Sequence, residues 1–175
     1  MDYTKADALF SDCGQHRIHL WREWDDPFAH MADADTPLPF VVGALNPSTA
    51  GKLDDPSVRR MVGFAKSEGF RRLDLFNLST RIATDPKDML LHISSEAEET
   101  LQPLYDAIEW AGQFVVAWGA TVGKSYDLKR RANHVAHFAS NRLPDGPMCW
   151  GMTKDGHPKH PLYLAKDTPL RPFKI

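Results

Sequence analysis

"PFVVGALNPSTAGK", residues 39–52, places an Asn-Pro-Ser-Thr turn directly after an apolar run. The run from Phe40 to Leu45 carries no charge and is rich in β-branched and aromatic residues, which is typical of a central parallel strand buried on both faces. Ligands of open α/β sheets bind beyond the carboxyl ends of such strands. The turn that begins at Asn46 is therefore a candidate binding site.

Strands and helices alternate along the rest of the chain. Further strands are predicted near residues 72–77, 113–118 and 148–153, and helices near 56–68, 96–111 and 124–139, with a short helix opening at Asp85-Pro86. This alternation predicts a parallel sheet with right-handed crossovers. We therefore predict an α/β fold, a three-layer α/β/α sandwich around a central four-stranded parallel sheet. The carboxyl ends of all four strands, the first spanning 39–45, then lie at one edge.

The segment before this core has a different pattern. "HRIHLWREW", residues 16–24, alternates apolar and charged side chains as a half-exposed strand does, and predicts an N-terminal edge hairpin or strand. The length of 175 residues suits one domain, predicted over 1–175 with its core at 38–165.

Charge and cysteine content limit the possible partners. The chain has 21 Lys plus Arg against 23 Asp plus Glu, a formal charge of -2, so binding of nucleic acid would need a local basic patch. Cys13 and Cys149, with no stretch resembling a signal peptide, predict reduced thiols in a cytoplasmic protein. No apolar run approaches the roughly 18 residues of a membrane span. We expect a soluble monomer with no membrane partner.

One tempting motif does not have the spacing that it needs. "VVAWGATVGKS", residues 115–125, follows a strand and ends in Gly-Lys-Ser, but three residues separate Gly119 from Gly123. A P-loop needs four residues there to wrap its N–H groups around phosphates. We expect instead a strand-to-helix turn with Lys124 in solvent or on a phosphate backbone.

Other cofactor and enzyme signatures are also missing from the sequence. Cys149, His157 and His160 match no standard zinc spacing, and a fourth ligand is not evident. The chain has no G-x-S-x-G elbow of a serine hydrolase and no G-x-G-x-x-G of a dinucleotide site. We therefore expect no metal and no cofactor.

Polar side chains follow each predicted strand. They are Asn46, Ser48 and Thr49 after the first, Asn77 and Arg81 after the second, Trp118 after the third, and His157, Lys159 and His160 after the fourth. An Asn presents a donor and an acceptor together, which suits the edge of a nucleobase. A neutral His can stabilise developing negative charge through one N–H. The alternative is that Asn46 and Asn77 only cap loops or helices.

The chain resembles a known family over nearly its whole length. "HRIHLWREW", "LNPSTAGKLDDPSVRRMVGFAKSEGF", "LFNLSTRIATDPKDM", "AWGA" and "TKDGHPKHPLYL" occur in this order in the bacterial domain of unknown function 1643. The motifs are specific, but the family is largely uncharacterised, so this resemblance implies kinship more than function.

A more remote resemblance, over residues about 40–163, is to the uracil-DNA glycosylase superfamily. "GALNP" resembles its first strand-end motif with one extra residue, "LFNLSTR" and "VVAWGA" resemble the second and third, and His160-Pro161-Leu162 resembles its His-Pro-Ser. The resemblance implies a glycosylase-like fold. The four cysteines of the iron–sulfur branch are absent from this sequence.

The same resemblance implies roles for the matching residues. Asn46 would position the attacking water, Asn77 would bind the flipped base, and His160 would support the leaving base, with His157 as its rival. Ser48, Thr49 and Lys159 would contact phosphates, to which we add Arg59, Arg81 and Lys124 as a local basic patch. Arg60 lies where many members carry a stacking aromatic residue, and its guanidinium plane can stack on a base. Trp118 is predicted to bind the base.

The sequence thus predicts a protein directed at nucleobases, with DNA or a nucleotide as its partner. The leading hypothesis is hydrolysis of the N-glycosidic bond of a modified or damaged base. The alternatives are a non-catalytic module that binds nucleic acid or a modified nucleotide, and a hydrolase or transferase acting on a small nucleotide.

Overall fold

The structure is a computed structural model that describes residues 2–25, 38–49 and 54–174. Its seven strands are β1 (Lys5–Phe10), β2 (Arg17–Glu23), β3 (Phe40–Ala44), β4 (Arg72–Asn77), β5 (Gln113–Val116), β6 (Met148–Cys149) and β7 (Arg171–Pro172). Its four α-helices are α1 (Pro56–Ser67), α2 (Pro86–His92), α3 (Gln102–Glu109) and α4 (Tyr126–Arg142). The strands form one sheet in the order β1-β2-β4-β3-β5-β6-β7.

The four strands in the middle of the sheet are parallel. β3 pairs with β4 on one side and with β5 on the other, and β5 pairs with β6. The carboxyl ends of these strands therefore meet at one edge, as the sequence predicts.

Antiparallel strands extend the sheet on both sides of the four parallel strands, so the described sheet has seven strands. β1 and β2 form the predicted N-terminal hairpin, and β2 pairs antiparallel with β4. β7 pairs antiparallel with β6, and its proline content hid it from sequence reasoning. Pro172 lacks an N–H donor but is tolerated there, because β7 is an edge strand.

Helices cover both faces of the sheet. Val41 of β3 packs in a buried cluster with residues of α2, α3 and α4, whereas its neighbours Phe40 and Val42 pack in a second cluster with residues of α1. Because alternate side chains of a strand point to opposite faces, a strand covered on both sides has to be apolar throughout. β3 is buried along its whole length.

Two helices have bounds that differ from the predicted ones. The helix predicted at 96–111 is a 3-10 turn, Glu98–Leu101, followed by α3, because Pro103 lacks the N–H that a continuous helix would need there. The helix predicted at 124–139 begins at Tyr126 and ends at Arg142, with Ser125 as its N-cap.

The predicted fourth strand is the shortest. Instead of 148–153, β6 contains only Met148 and Cys149. Gly151 follows with a φ of 123°, which L side chains rarely adopt, so the chain leaves the sheet there. None of the described helices is long and apolar enough to cross a membrane.

Candidate functional site

Two loops at the carboxyl edge are joined into one unit. Main-chain N–H groups of the loop after β4 donate to main-chain oxygens of the loop after β3: Leu78 to Ala44 at 2.9 Å, Ser79 to Leu45 at 2.9 Å, and Ala83 to Pro47 at 3.0 Å. The pairing of β3 with β4 thus continues beyond both strands. It holds Asn46 and Asn77 at the same edge.

The Asn46 side chain fastens this unit further. Its Nδ2 donates to the main-chain oxygen of Ala83 at 2.8 Å and to that of Pro47 at 3.1 Å. An amide nitrogen has two hydrogens, and these two bonds use both. Asn46 can therefore offer only its Oδ1, an acceptor, to a ligand or a water molecule.

The end of β5 brings Trp118 to the same edge. Gly119 follows with a φ of 74°, and the chain then forms a 3-10 turn, Ala120–Lys124, before α4. Ser125 Oγ accepts the N–H of Leu128 as the N-cap of α4, so the Gly-Lys-Ser triplet caps a helix. This geometry agrees with the rejection of a P-loop.

Glycine at position 43 makes room for the aromatic side chains beside β3. A Cβ on Gly43 would lie 3.2 Å from Cζ of Phe114 and 3.7 Å from Cζ3 of Trp118. The missing side chain lets both rings pack directly against the strand.

His160 is the histidine that reaches the candidate site, and its tautomer follows from its hydrogen bond. Its Nδ1 accepts the main-chain N–H of Leu162 at 3.3 Å, so the neutral ring carries its proton on Nε2. Burial lowers the pKa of His160, and the Asp55 carboxylate opposes the shift. At neutral pH the ring is an uncharged donor through Nε2.

These groups enclose a cavity of about 440 Å³. It is lined by five of the residues predicted from the sequence, Asn46, Ser48, Asn77, Trp118 and His160, together with others that include Arg17, Asp55, Thr121, Leu162 and Tyr163. Small-molecule sites typically have volumes of about 300–1,000 Å³. The roles assigned to these residues stay predictions.

Sequence reasoning missed Arg17, which lines this cavity. Its side chain is 3% exposed and its Nη2 donates to Asn77 Oδ1 at 3.2 Å. Its Nε is buried and has no hydrogen-bond partner among the described residues. Burial lowers the pKa of the guanidinium to about 10, against the influence of Asp55. The alternating pattern of residues 16–24 gives no signal that an arginine there is buried.

Asp55 is the N-cap of α1, a role that its position before Pro56 indicates. Its Oδ1 accepts the N–H of Val58 at 2.8 Å, and its Oδ2 accepts the Ser48 hydroxyl at 3.4 Å. The same carboxylate also lines the cavity. The Asp-Pro pair accounts for the cap, so the sequence carried no separate sign of this second position.

His157 does not line this cavity. It lies with Lys129 and Asn133 in a second cavity of about 200 Å³, and Trp118 lines both. A Cβ on Gly123 would lie 2.6 Å from His157 Nε2, so the ring packs where a side chain is missing. Of the two histidines that the sequence left as rivals, the structure brings only His160 to Asn46 and Asn77.

Arg59 and Arg60 lie on α1 beside a groove of about 610 Å³, which also contacts Leu162. Arg60 Nη2 donates to the main-chain oxygen of Leu164 at 2.5 Å, and Arg59 Nη2 donates to that of Asp54 at 3.0 Å. Arg60, predicted to bind the base, therefore lies outside the cavity and next to it.

The remaining predicted backbone contacts are dispersed. Arg81 lies 3.4 Å from the carboxylate of Asp88 and is partly neutralised by it. Thr49, Lys124 and Lys159 are exposed. None of these four residues lines the cavity.

The described side chains form no cluster suited to a metal ion. Within residues 2–25, 38–49 and 54–174, no group of three or more His, Cys, Asp and Glu residues could hold a metal ion. Both cysteines are free thiols, Cys13 exposed and Cys149 buried.

Comparison with known proteins gives one match, which covers most of the chain. Residues 17–162 match the family described as protein of unknown function (DUF1643). The chain belongs to the DUF1643 family. The matched range of this DUF1643 protein runs from Arg17 to Leu162 and so includes Asn46, Asn77 and His160. No curated protein and no solved structure matches the chain, so the resemblance to uracil-DNA glycosylases rests on the motifs alone.

Proposed function

We propose that this DUF1643 protein binds a nucleobase in the cavity and hydrolyses the N-glycosidic bond of a modified or damaged base. The observation that carries the proposal is the convergence of Asn46, Asn77 and His160, with Trp118, on one cavity at the carboxyl edge. Amide, imidazole and indole groups together can hold a planar ring with polar edges. The ring packs against Trp118, and the amides and the imidazole face its polar edges.

Two donors act on the base in this scheme. Asn77 Oδ1 accepts from Arg17, so Asn77 presents its NH₂ group to the base. His160 presents its Nε2–H, because Nδ1 accepts from Leu162. Both bonds strengthen as the base gains negative charge, which is the condition for stabilising a transition state.

The bond changes balance without a cofactor. The oxygen of a water molecule bonds to the sugar carbon, the carbon–nitrogen bond breaks, and its electron pair leaves with the base. One proton of the water finally reaches the base. Asn46 Oδ1 accepts a hydrogen bond from that water, and Asp55 is the carboxylate among the described lining residues that can take its proton.

The fold comparison with uracil-DNA glycosylases belongs to the same proposal. Asn77 is the last residue of β4, Asn46 and Trp118 lie two residues beyond β3 and β5, and His160 lies in the loop beyond β6. The four motifs thus come from successive parallel strands, which supports the comparison.

A binding module without catalysis is the second candidate, and the hydrogen bonds of Asn46 favour it. Both amide hydrogens of Asn46 hold the loops together, which is a structural task. In this second proposal the same cavity binds a modified base or nucleotide without reaction. The groove beside Arg59 and Arg60 then carries the adjoining backbone.

Release of free base is the experiment that separates these functions. The protein is incubated with single-stranded and duplex DNA that carries uracil, hydroxymethyluracil or other modified bases, and released base is measured by mass spectrometry. We expect release of at least one base, and much slower release in the His160→Leu variant. Tight binding without release supports the binding module, and turnover of free nucleotides alone supports the small-nucleotide alternative.

A further inference from the structure

The surroundings of Arg17 differ from those of the other two buried arginines. Arg22 is 1% exposed and pairs with Asp54 at 2.7 Å. Arg131 is 1% exposed and donates to Leu78 O at 3.0 Å, to Ala97 O at 3.2 Å and to two further oxygens. Each of these two cations has several protein oxygens as partners, as a buried charge requires, although Arg131 Nε, like Arg17 Nε, has no hydrogen bond within the described residues.

Arg17, by contrast, has a single side-chain hydrogen bond within the described parts of the chain, and it is to the neutral Asn77. Those parts contain no carboxylate within ion-pair distance of Arg17, and its Nε is buried without a partner. A guanidinium has five N–H donors, so Arg17 keeps donors that its bond to Asn77 does not use. Because Arg17 lines the cavity, an acceptor bound there can receive them.

The polar groups around Arg17 present donors to the cavity. Asn77 uses its oxygen to accept from Arg17 and has only its NH₂ group left to offer. His160 uses Nδ1 to accept from Leu162 and offers Nε2–H. These three donor groups, one of them cationic, favour an acceptor on the ligand edge that faces them, whereas Asn46 Oδ1 and the Asp55 carboxylate, which line the same cavity, favour a donor on another edge.

We propose that Arg17, Asn77 and His160 form an anion site on the wall of the cavity, which holds a negatively charged oxygen of the ligand. A guanidinium suits this task because its planar fork can donate two parallel bonds to one oxyanion. The inference rests on the proposed function for the class of ligand, a nucleobase or nucleotide. It adds Arg17 as a binding residue and predicts a preference for anionic over neutral ligands.

The anionic oxygen has two possible sources with the same chemistry. It is either a phosphate oxygen of a mononucleotide or a ring oxygen of a base that ionises. Uridine 5′-monophosphate and uridine differ only in the phosphate. Xanthine and hypoxanthine are two free bases of similar shape, of which xanthine ionises more readily. Comparing each pair identifies the source.

The test is calorimetric titration of the whole protein with these four compounds and with inorganic phosphate. We expect the anionic member of at least one pair to bind more tightly. Arg17→Met should weaken that binding at least about tenfold, as the loss of a charged hydrogen bond does. Arg142→Met, which removes an exposed arginine at the end of α4, away from the cavity and from the groove on α1, is the matched control and should leave the affinity unchanged.

A second variant tests the same inference if Arg17→Met does not fold. Asn77→Asp supplies Arg17 with an internal carboxylate, so the variant should fold, keep its stability in urea and lose the preference for anions. Equal affinity of wild type and Arg17→Met for the anions would overturn the inference. So would a preference for the neutral members of both pairs, or a wild-type protein that binds none of the anions.

The binding and base-release experiments together distinguish failure of the anion site from failure of the proposed function. If anions bind through Arg17 but no base is released from DNA, the anion site stands and glycosidic hydrolysis is rejected. If base is released at the same rate by wild type and Arg17→Met, the function stands and the anion site is rejected.

Discussion

Asn46 Nδ2 donates a 2.8 Å hydrogen bond to the main-chain oxygen of Ala83 and thereby ties the turn after β3 to the loop after β4. A residue that the motif comparison places beside the attacking water thus also fixes the geometry of the cavity. Catalytic and structural effects of substituting Asn46 therefore have to be separated.

Substitution of Asn46 should lower the stability of the fold, in addition to any effect on catalysis. Asn46→Ala leaves the Ala83 and Pro47 oxygens without this donor, and we expect the free energy of unfolding in urea to fall by about 1–2 kcal/mol. Asn46→Asp should lose more, because a carboxylate oxygen would face two carbonyl oxygens.

The matched control for Asn46 is Ser48→Ala at the same loop. The Ser48 hydroxyl is exposed and its bond to Asp55 is long, 3.4 Å, so the stability should change by less than about 0.5 kcal/mol. Full stability of Asn46→Asp would contradict the structural role of the Asn46 amide.

The two histidines should differ in their effect on function. His160→Leu removes the Nε2–H donor from the cavity, and we expect base release to fall by a factor on the order of 10²–10³ with folding intact. His157→Leu should have little effect, because His157 lies in a different cavity. If the protein releases no base, the same comparison applies to ligand affinity. A larger loss in His157→Leu would reverse the assignment.

His160 should also make stability depend on pH. Its pKa is lowered on folding, chiefly by burial, from an ordinary value of 6.5. The unfolded chain therefore binds a proton more readily than the folded one, and the stabilising contribution, present above pH 6.5, is lost as the pH falls below that value. Urea unfolding from pH 7.5 down to 5 should show a shallower loss for His160→Gln than for wild type. His137→Gln, at an exposed position of α4, serves as the control.

Nucleic-acid binding, if present, should depend on salt through the groove on α1. Each phosphate neutralised contributes about 0.9 to the slope of log affinity against log salt on duplex DNA. Exchanging Arg59 and Arg60 for Gln together should reduce the slope by about two. Lys154→Gln, at an exposed position in the loop after β6, should leave it unchanged. An affinity of wild type that does not vary with salt would favour a small neutral ligand.

The sequence predicted the parallel core because its signals are local. The apolar runs that became β3, β4 and β5, and the Asp-Pro pair that caps α1, depend on neighbouring residues alone. β7 escaped prediction because its pairing with β6 is a long-range contact made by a proline-containing segment.

From the sequence, only those residues of the site that lie at the end of a predicted strand or in a motif could be identified. Asn46, Asn77 and His160 were predicted because each follows a strand or a motif. Arg17 was not, because it reaches the cavity from β2, an antiparallel strand whose place beside β4 no local pattern encodes. Its burial becomes visible only once the sheet is assembled.

NMR of the side-chain amides can show directly whether a nucleobase ligand occupies the cavity beside Asn77. The NH₂ signals of Asn46 and Asn77 are assigned with the variants Asn46→Ala and Asn77→Ala, and followed while uridine, uridine 5′-monophosphate, xanthine and a uracil-containing oligonucleotide are titrated. We predict that at least one of these ligands shifts the Asn77 NH₂ signal strongly, since that group donates to the ligand. The Asn46 signal should move less, because its hydrogens stay bound to Ala83 and Pro47. Shifts confined to residues around His157, or no shift of the Asn77 signal with any of these ligands, would contradict the account.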